Sequence, residues 1–288
     1  MVQNKGADEV DSKVIYTNTM QHLNLSFSAC GFLGIYHLGA ASALLTHGQK
    51  LLSSVKVFAG ASAGSLVATV LLTAPHKIQE SKDFLYTFSE DFRKRFPGVV
   101  KPRYDFMKHL REGIETILPA QAHEIAENRL YVSITNSKRL ENCLVSSFAS
   151  RGELIKVLLA SCFVPLYAGI SAVQYKGEKW IDGGFTNSLP VLPTGRTITV
   201  SPFCSRQNIC PKGNGYFDLS LNIGRQEIQL SVENLERLNQ TLFPPTRAKM
   251  ELIFQDGFED TVKFLKSENW YEPSSTQSDY TSNGHNPF

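Results

Sequence analysis

The chain has 288 residues, 42% hydrophobic and 19% charged, enough for one large folded domain and unlike a disordered chain. Its 29 basic and 27 acidic residues leave a net charge of +2, which argues against a dedicated nucleic-acid binder. Five cysteines, without a CxxC pair or zinc spacing, predict free and mostly buried thiols in a reducing, cytoplasmic setting and no metal site.

Residues 1–20 are polar, mixed in charge and without an apolar run, and predict a mobile extension with no secretory signal. From residue 21 the pattern changes. Leu23, Leu25 and Phe27 alternate with Asn24, Ser26 and Ser28, the period of a strand. Gly31 and Gly34 break it, and Ile35 to Leu45 reads as a helix ending near Gly48. A second strand, Val55 to Ala59, runs into Gly60-Ala61-Ser62-Ala63-Gly64, and a helix follows to a stop at Pro75. The apolar stretch from Phe58 to Pro75 is too broken by serine, threonine and glycine to span a bilayer.

Helices are predicted over 76–95 and 104–127, strands over Leu130–Thr135 and Cys143–Phe148, and a helix from Glu153 to Ser161. Tyr175 to Trp180 has the shape of a hairpin that delivers Ile181-Asp182-Gly183-Gly184, and Thr197–Ser201 reads as a further strand. Beyond a polar loop come a short strand and helices near 225–242 and 246–269, the last with Met250, Phe254, Phe258, Val262 and Leu265 as its core stripe. Strands alternating with helices imply an α/β fold around a largely parallel, buried sheet, one domain over 21–271, with 272–288 a disordered tail.

GxSxG is a weak pattern alone, but here a strand leads in and a helix leads out, the setting of a nucleophile elbow with Ser62 at its tip and Gly60 and Gly64 around it. A close-packed turn of small residues is the competing reading. The nucleophile needs a base, and the only histidine after residue 123 is His285 in the polar tail, so a Ser-His-Asp triad is poorly supported. Asp182 is the better candidate, since it ends an apolar strand before two glycines, Gly183 and Gly184, at the sheet edge where active sites gather. A carboxylate can deprotonate a serine directly when burial keeps it basic.

The first strand-to-helix turn, Ala29 to Gly34, is the natural oxyanion hole, because glycine frees main-chain N–H groups to face developing charge. A dinucleotide loop would want a third glycine and an acid after the next strand, and neither is present.

The ordered set ACGFLG (29–34), GASAG (60–64), ASCFVP (160–165) and DGG (182–184) resembles the patatin-like phospholipases over nearly the whole chain. That resemblance implies a three-layer α/β/α fold, a Ser62–Asp182 dyad, and oxyanion donors from Cys30, Gly31 and Phe32. Two positions depart from the family, Ala29 for its leading glycine and Leu33 for its usual basic residue. It implies an esterase acting on triacylglycerols, retinyl esters or phospholipids, or passing acyl groups between acylglycerols, with no cofactor and no obligatory protein partner. It also implies a cytoplasmic enzyme peripheral on lipid droplets or membranes, where larger relatives carry an additional C-terminal droplet-targeting region.

Between Asp91 and Arg111 seven cations face two acids, interleaved with Phe92, Phe96, Tyr104 and Phe106, a segment suited equally to an anionic lipid surface or to plain solvation. Two alternatives stay open: a lipid-binding or regulatory protein with little turnover, and an acyl-CoA-dependent transacylase.

Overall fold

The computed structural model describes residues 22–95, 105–213 and 219–273. The N-terminal extension, most of the C-terminal tail with His285, and the cationic stretch 96–104 lie outside them.

The chain alternates strand and helix as its pattern predicts: β1 (Leu23–Phe27), α1 (Gly34–His47), α2 (Gln49–Ser54), β2 (Val55–Ala61) and α3 (Ala63–Thr73). Then follow α4 (Ile78–Arg95), α5 (Phe106–Ile117), α6 (Ala122–Ala126), β3 (Leu130–Asn136), β4 (Asn142–Val145) and α7 (Arg151–Ser161). The hairpin β5 (Val173–Tyr175) and β6 (Glu178–Asp182) precedes β7 (Arg196–Val200), a second hairpin of β8 (Ser220–Ile223) and β9 (Gln226–Gln229), α8 (Val232–Leu242) and α9 (Arg247–Ser267).

The seven-stranded sheet runs β5-β6-β3-β2-β1-β7, with β4 also on β3; β3, β2, β1 and β7 are parallel and form the centre of a three-layer α/β/α fold. Both faces of β1 are covered. Its alternation does not separate core from solvent, for Asn24 and Ser26 are as fully buried as Leu25 and Phe27. Asn24 satisfies its amide on the Thr194 carbonyl at 2.7 Å.

Two helix predictions are corrected. The span 104–127 breaks into α5 and α6 at Leu118-Pro119, where proline has no N–H to give a continuing helix. The helix expected from residue 225 begins only at Val232, because Gly224 and Arg225 both take positive φ and turn the chain into the β8–β9 hairpin. On α9 the buried face is Met250, Ile253, Phe254, Gly257, Thr261, Phe264 and Leu265, whereas Phe258 and Val262 are half-buried at its margin. Ser150 caps α7 by accepting from the Glu153 N–H, and Glu153 reaches back to the Ala149 N–H at 2.8 Å. This helix end is tied tightly, and α7 carries its last residues to the site.

Candidate active site

Register on β3 brings the two chemical residues together. Ile134 and Thr135 pair with β4 along one edge and with β6 along the other, while Ser133 pairs with β4 and with Ala61 of β2. Since a strand has two edges, β2 and β6 share one of them. β2 ends at Ala61 opposite Ser133, and β6 ends at Asp182 opposite Ile134. Ser62 and Asp182 thus leave their strands next to one another, near enough for the serine hydroxyl to act on the carboxyl.

Ser62 has φ 52° and ψ −131°, a conformation that costs a residue with a Cβ about 1–3 kcal/mol, and it lines the cleft. The turn closes because Gly60 and Gly64 are packed on one another, and a side chain on Gly64 would run into the carbonyls of Phe27 and Ser28. Asp182 is 4% exposed. Its carboxylate accepts the Gly184 N–H at 2.7 Å, and burial raises its pKa from 3.8 to about 6 although the nearby Ser62 hydroxyl and the Gly184 N–H pull it down. Gly183 lies flat against the Ser133 carbonyl. The Thr135 hydroxyl donates to the main-chain oxygen of Asp182 at 2.7 Å, fixing the other side of that turn.

The turn between β1 and α1 stands beside this pair. The Ala29 N–H donates to the Ser188 carbonyl at 2.8 Å and the Leu33 N–H to the Cys30 carbonyl at 3.0 Å, while the Gly34 N–H serves Gly31 and Phe32. Among the described residues nothing accepts from the N–H groups of Cys30, Gly31 and Phe32, which leaves three donors at the mouth of a helix. Gly31 is at φ 51° with its Cα against the Thr241 carbonyl, so a side chain there would be strained and obstructed together. Because the donors are main-chain, the presence of Ala29 and Leu33 does not remove them.

Ser62, Gly31 and Phe32 line a cleft of about 140 Å³. Its lining recurs on α3 at Ala63, Leu66, Val67 and Val70, so it follows that helix for about 10 Å beyond Ser62. The opposite wall is aromatic and aliphatic, from Phe84, Phe88, Phe106, Leu110 and Ile114, with Phe84 stacked on Phe88 at 5.5 Å and Phe88 tilted on Phe106 at 5.0 Å. Tyr167 and Leu242 close one side of the mouth, joined by a hydrogen bond from the Tyr167 hydroxyl to the Leu242 carbonyl at 2.6 Å.

All five cysteines are free, and burial pushes the thiols of Cys30 and Cys162 well above their usual range, with the Asp182 charge adding to the effect. Cys162 lines the cleft beside Ser62. His37 is buried with its Nε2 on the Ser28 carbonyl at 2.9 Å, and burial lowers its pKa to about 4; no contact joins it to Ser62. Among the described residues no three His, Cys, Asp or Glu side chains cluster as metal ligands.

A strong nucleophile position, a buried carboxylate of raised pKa, unused N–H donors and an apolar cleft can together perform acyl transfer from an ester with a long hydrocarbon chain. Sequence reasoning missed Ser161 and Ser133, which tie the elbow down, and the neighbour Cys162. Ser161 and Cys162 fall within the ASCFVP string, whose only other signal is a pair of small residues closing a helix.

The family model of patatin-like phospholipases matches residues 25–194. Patatin-like phospholipase domain-containing protein 4 of Homo sapiens is 64% identical over 253 residues, 88% of this chain and 100% of its own length. A 1-acylglycerol-3-phosphate O-acyltransferase of Mus musculus, Pnpla3, is 35% identical over 84% of this chain and 59% of its own. The omega-hydroxyceramide transacylase of Mus musculus is 33% identical over 85% of this chain and 41% of its own. The chain therefore spans the whole of the first relative and about half of the other two.

Proposed function

Because the chain belongs to the patatin-like phospholipase family, we propose that it is a lipid acyl-ester hydrolase with Ser62 as nucleophile and Asp182 as base. The observation that carries this is the register that sets a strained serine beside a buried carboxylate at an apolar cleft. Asp182 takes the Ser62 proton as Oγ attacks the ester carbonyl, and the oxyanion forms against the N–H groups of Cys30, Gly31 and Phe32. The tetrahedral species collapses, Asp182 returns the proton to the departing alcohol, and the acyl group remains on Ser62. Water or an acceptor alcohol, deprotonated by Asp182, then attacks the acyl-enzyme and frees the serine.

A pKa of about 6 suits both halves of that cycle, since the carboxylate is ionised at neutral pH yet basic enough to accept a proton. The cleft suits an acyl chain and makes triacylglycerols, retinyl esters and phospholipids the substrates to offer first. Leu166 and Ile170, 89% and 91% exposed, flank the mouth residue Tyr167 and support work at a lipid surface, on droplets or membranes facing the cytoplasm. No described helix is long and apolar enough to cross a membrane.

Acyl transfer to an alcohol is the second reading, favoured by the names of two relatives, an acyltransferase and a transacylase, and by a cleft whose walls are almost wholly apolar. The test offers purified protein emulsified triolein, retinyl palmitate and a phospholipid, with and without a diacylglycerol acceptor. Activity lost in Ser62→Ala and in Asp182→Asn is the expected result, and the ratio of free fatty acid to transferred acyl group chooses between water and alcohol. Turnover surviving Ser62→Ala would overturn the mechanism, and a folded protein inert on every ester would favour a lipid-binding role.

A further inference from the structure

Two hydroxyls hold the strained elbow: Ser65 Oγ donates to the Ser62 carbonyl at 2.7 Å, and Ser161 ties the Ser62 N–H to the sheet. The Ser62 N–H donates to Ser161 Oγ at 2.9 Å, and Ser161 Oγ donates in turn to the Ser133 carbonyl at 2.7 Å. Ser161 is the last residue of α7 and is wholly buried, as is Ser133 in the middle of β3. The same Ser133 carbonyl is the surface on which Gly183 of the Asp182 turn rests. Two residues further along that strand face, Thr135 holds the main chain of Asp182. β3 thus carries an attachment for each half of the pair, and the attachment of the nucleophile passes through Ser161.

We infer that Ser161 is a positioning residue for acyl transfer, fastening the Ser62 elbow to β3 so that its Oγ stays within reach of Asp182. The inference rests on the reading of Ser62 as the nucleophile. Its physical basis is that Ser62 has a relaxed alternative at negative φ, and that a buried N–H without an acceptor favours any movement that finds one. Deleting the Ser161 hydroxyl removes that acceptor, and the elbow relaxes by turning Ser62 Oγ away from the carboxylate. The bond has a second consequence. With its own N–H engaged by Ser161, Ser62 contributes nothing to the oxyanion, whose donors lie in the turn from Cys30 to Phe32.

The test compares Ser161→Ala, Ser161→Cys and Ser161→Thr with the unaltered chain and with Ser62→Ala. A short-chain fluorophosphonate reports the reactivity of Ser62 with no lipid or acceptor involved, a soluble short-chain ester separates kcat from KM, and thermal melting reports folding. Ser161→Ala is expected to slow phosphonylation and kcat by about 100-fold with KM held within twofold, as for a displaced reacting atom. Ser161→Cys, nearly the same size but a weak acceptor, follows it and serves if the alanine variant does not fold. Ser161→Thr, which keeps the hydroxyl, reacts faster than both. A folded Ser161→Ala or Ser161→Cys at the unaltered rate would overturn the inference, and so would equal slowing by all three, since filled space and not the hydroxyl would then decide. Reagent bound equally by Ser62→Ala would instead refute the nucleophile itself.

Discussion

The two walls of the cleft are built on different principles. On the sheet side the proposed reacting groups are placed by their backbone and by bonds made to it: Ser62 by a positive φ, two glycine contacts and the Ser161 hydroxyl, Asp182 by the Gly184 N–H and the Thr135 hydroxyl, and the proposed oxyanion donors by a turn at Gly31. On the α4–α5 side the wall is placed by side chains alone, through ring contacts among Phe84, Phe88 and Phe106. The contrast locates chemistry in backbone geometry, which tolerates little, and selectivity in packed rings and aliphatic groups, which can be exchanged. Substitutions on the two sides should therefore differ in kind as well as in size.

The largest effect is expected from Asp182→Asn, which removes the base and should lower kcat by about 10³- to 10⁴-fold in an ester assay. In the unaltered protein kcat/KM should rise with pH and reach half its plateau near pH 6, where Asp182 ionises. The same shift acts on folding with a definite sign. The native carboxyl, with its pKa raised from 3.8 to about 6, keeps its proton where the unfolded chain has lost it, so stability falls as pH rises through that window. About two pKa units correspond to a loss of up to about 3 kcal/mol above pH 6. Asp182→Asn escapes that loss, and its melting temperature should exceed that of the unaltered chain at pH 7 and match it near pH 4. An inactive variant that is also less stable at pH 7 would contradict the burial of a charge at this position.

Gly31→Ala comes next. The added methyl meets the Thr241 carbonyl and a φ of 51°, and the displaced turn should cost kcat about 100-fold, the scale of one lost oxyanion donor. On the other wall Ile114→Trp should leave a short-chain soluble ester within twofold and lower turnover of long-chain esters by about tenfold, a change read from a chain-length series. Equal losses on short and long chains would erase the distinction between the walls. The smallest effect belongs to the rim: Leu166→Asp with Ile170→Asp should reduce activity on an emulsion by about fivefold and leave the soluble ester unchanged.

Much of the sheet-side wall was legible because its instructions are local. A glycine-bounded serine between strand and helix, and an aspartate before two glycines, announce their turns through the few residues that can make them. Their meeting was expected from the family resemblance and not from any local signal, because it depends on β2 and β6 sharing one edge of β3, a register set by packing on both faces of the sheet. Ser161 was invisible for a similar reason, since a small polar residue in the last turn of a helix has no local mark of its partners 99 and 28 positions away. The misplaced start of α8 had a signal that periodicity overrode, for Gly224-Arg225 lies between two four-residue runs that pair as a hairpin. Of the cationic connection from Asp91 to Arg111, residues 96–104 lie outside the described residues.

The most direct test is to trap the intermediate. Mixing the protein with a short-chain nitrophenyl ester, quenching in acid and mapping the peptides by mass spectrometry should find one added acyl group on Ser62. That adduct should be absent from Ser62→Ala and form about 10³-fold more slowly in Asp182→Asn. An acyl group found on another residue, or steady turnover without any acylated Ser62, would contradict the account.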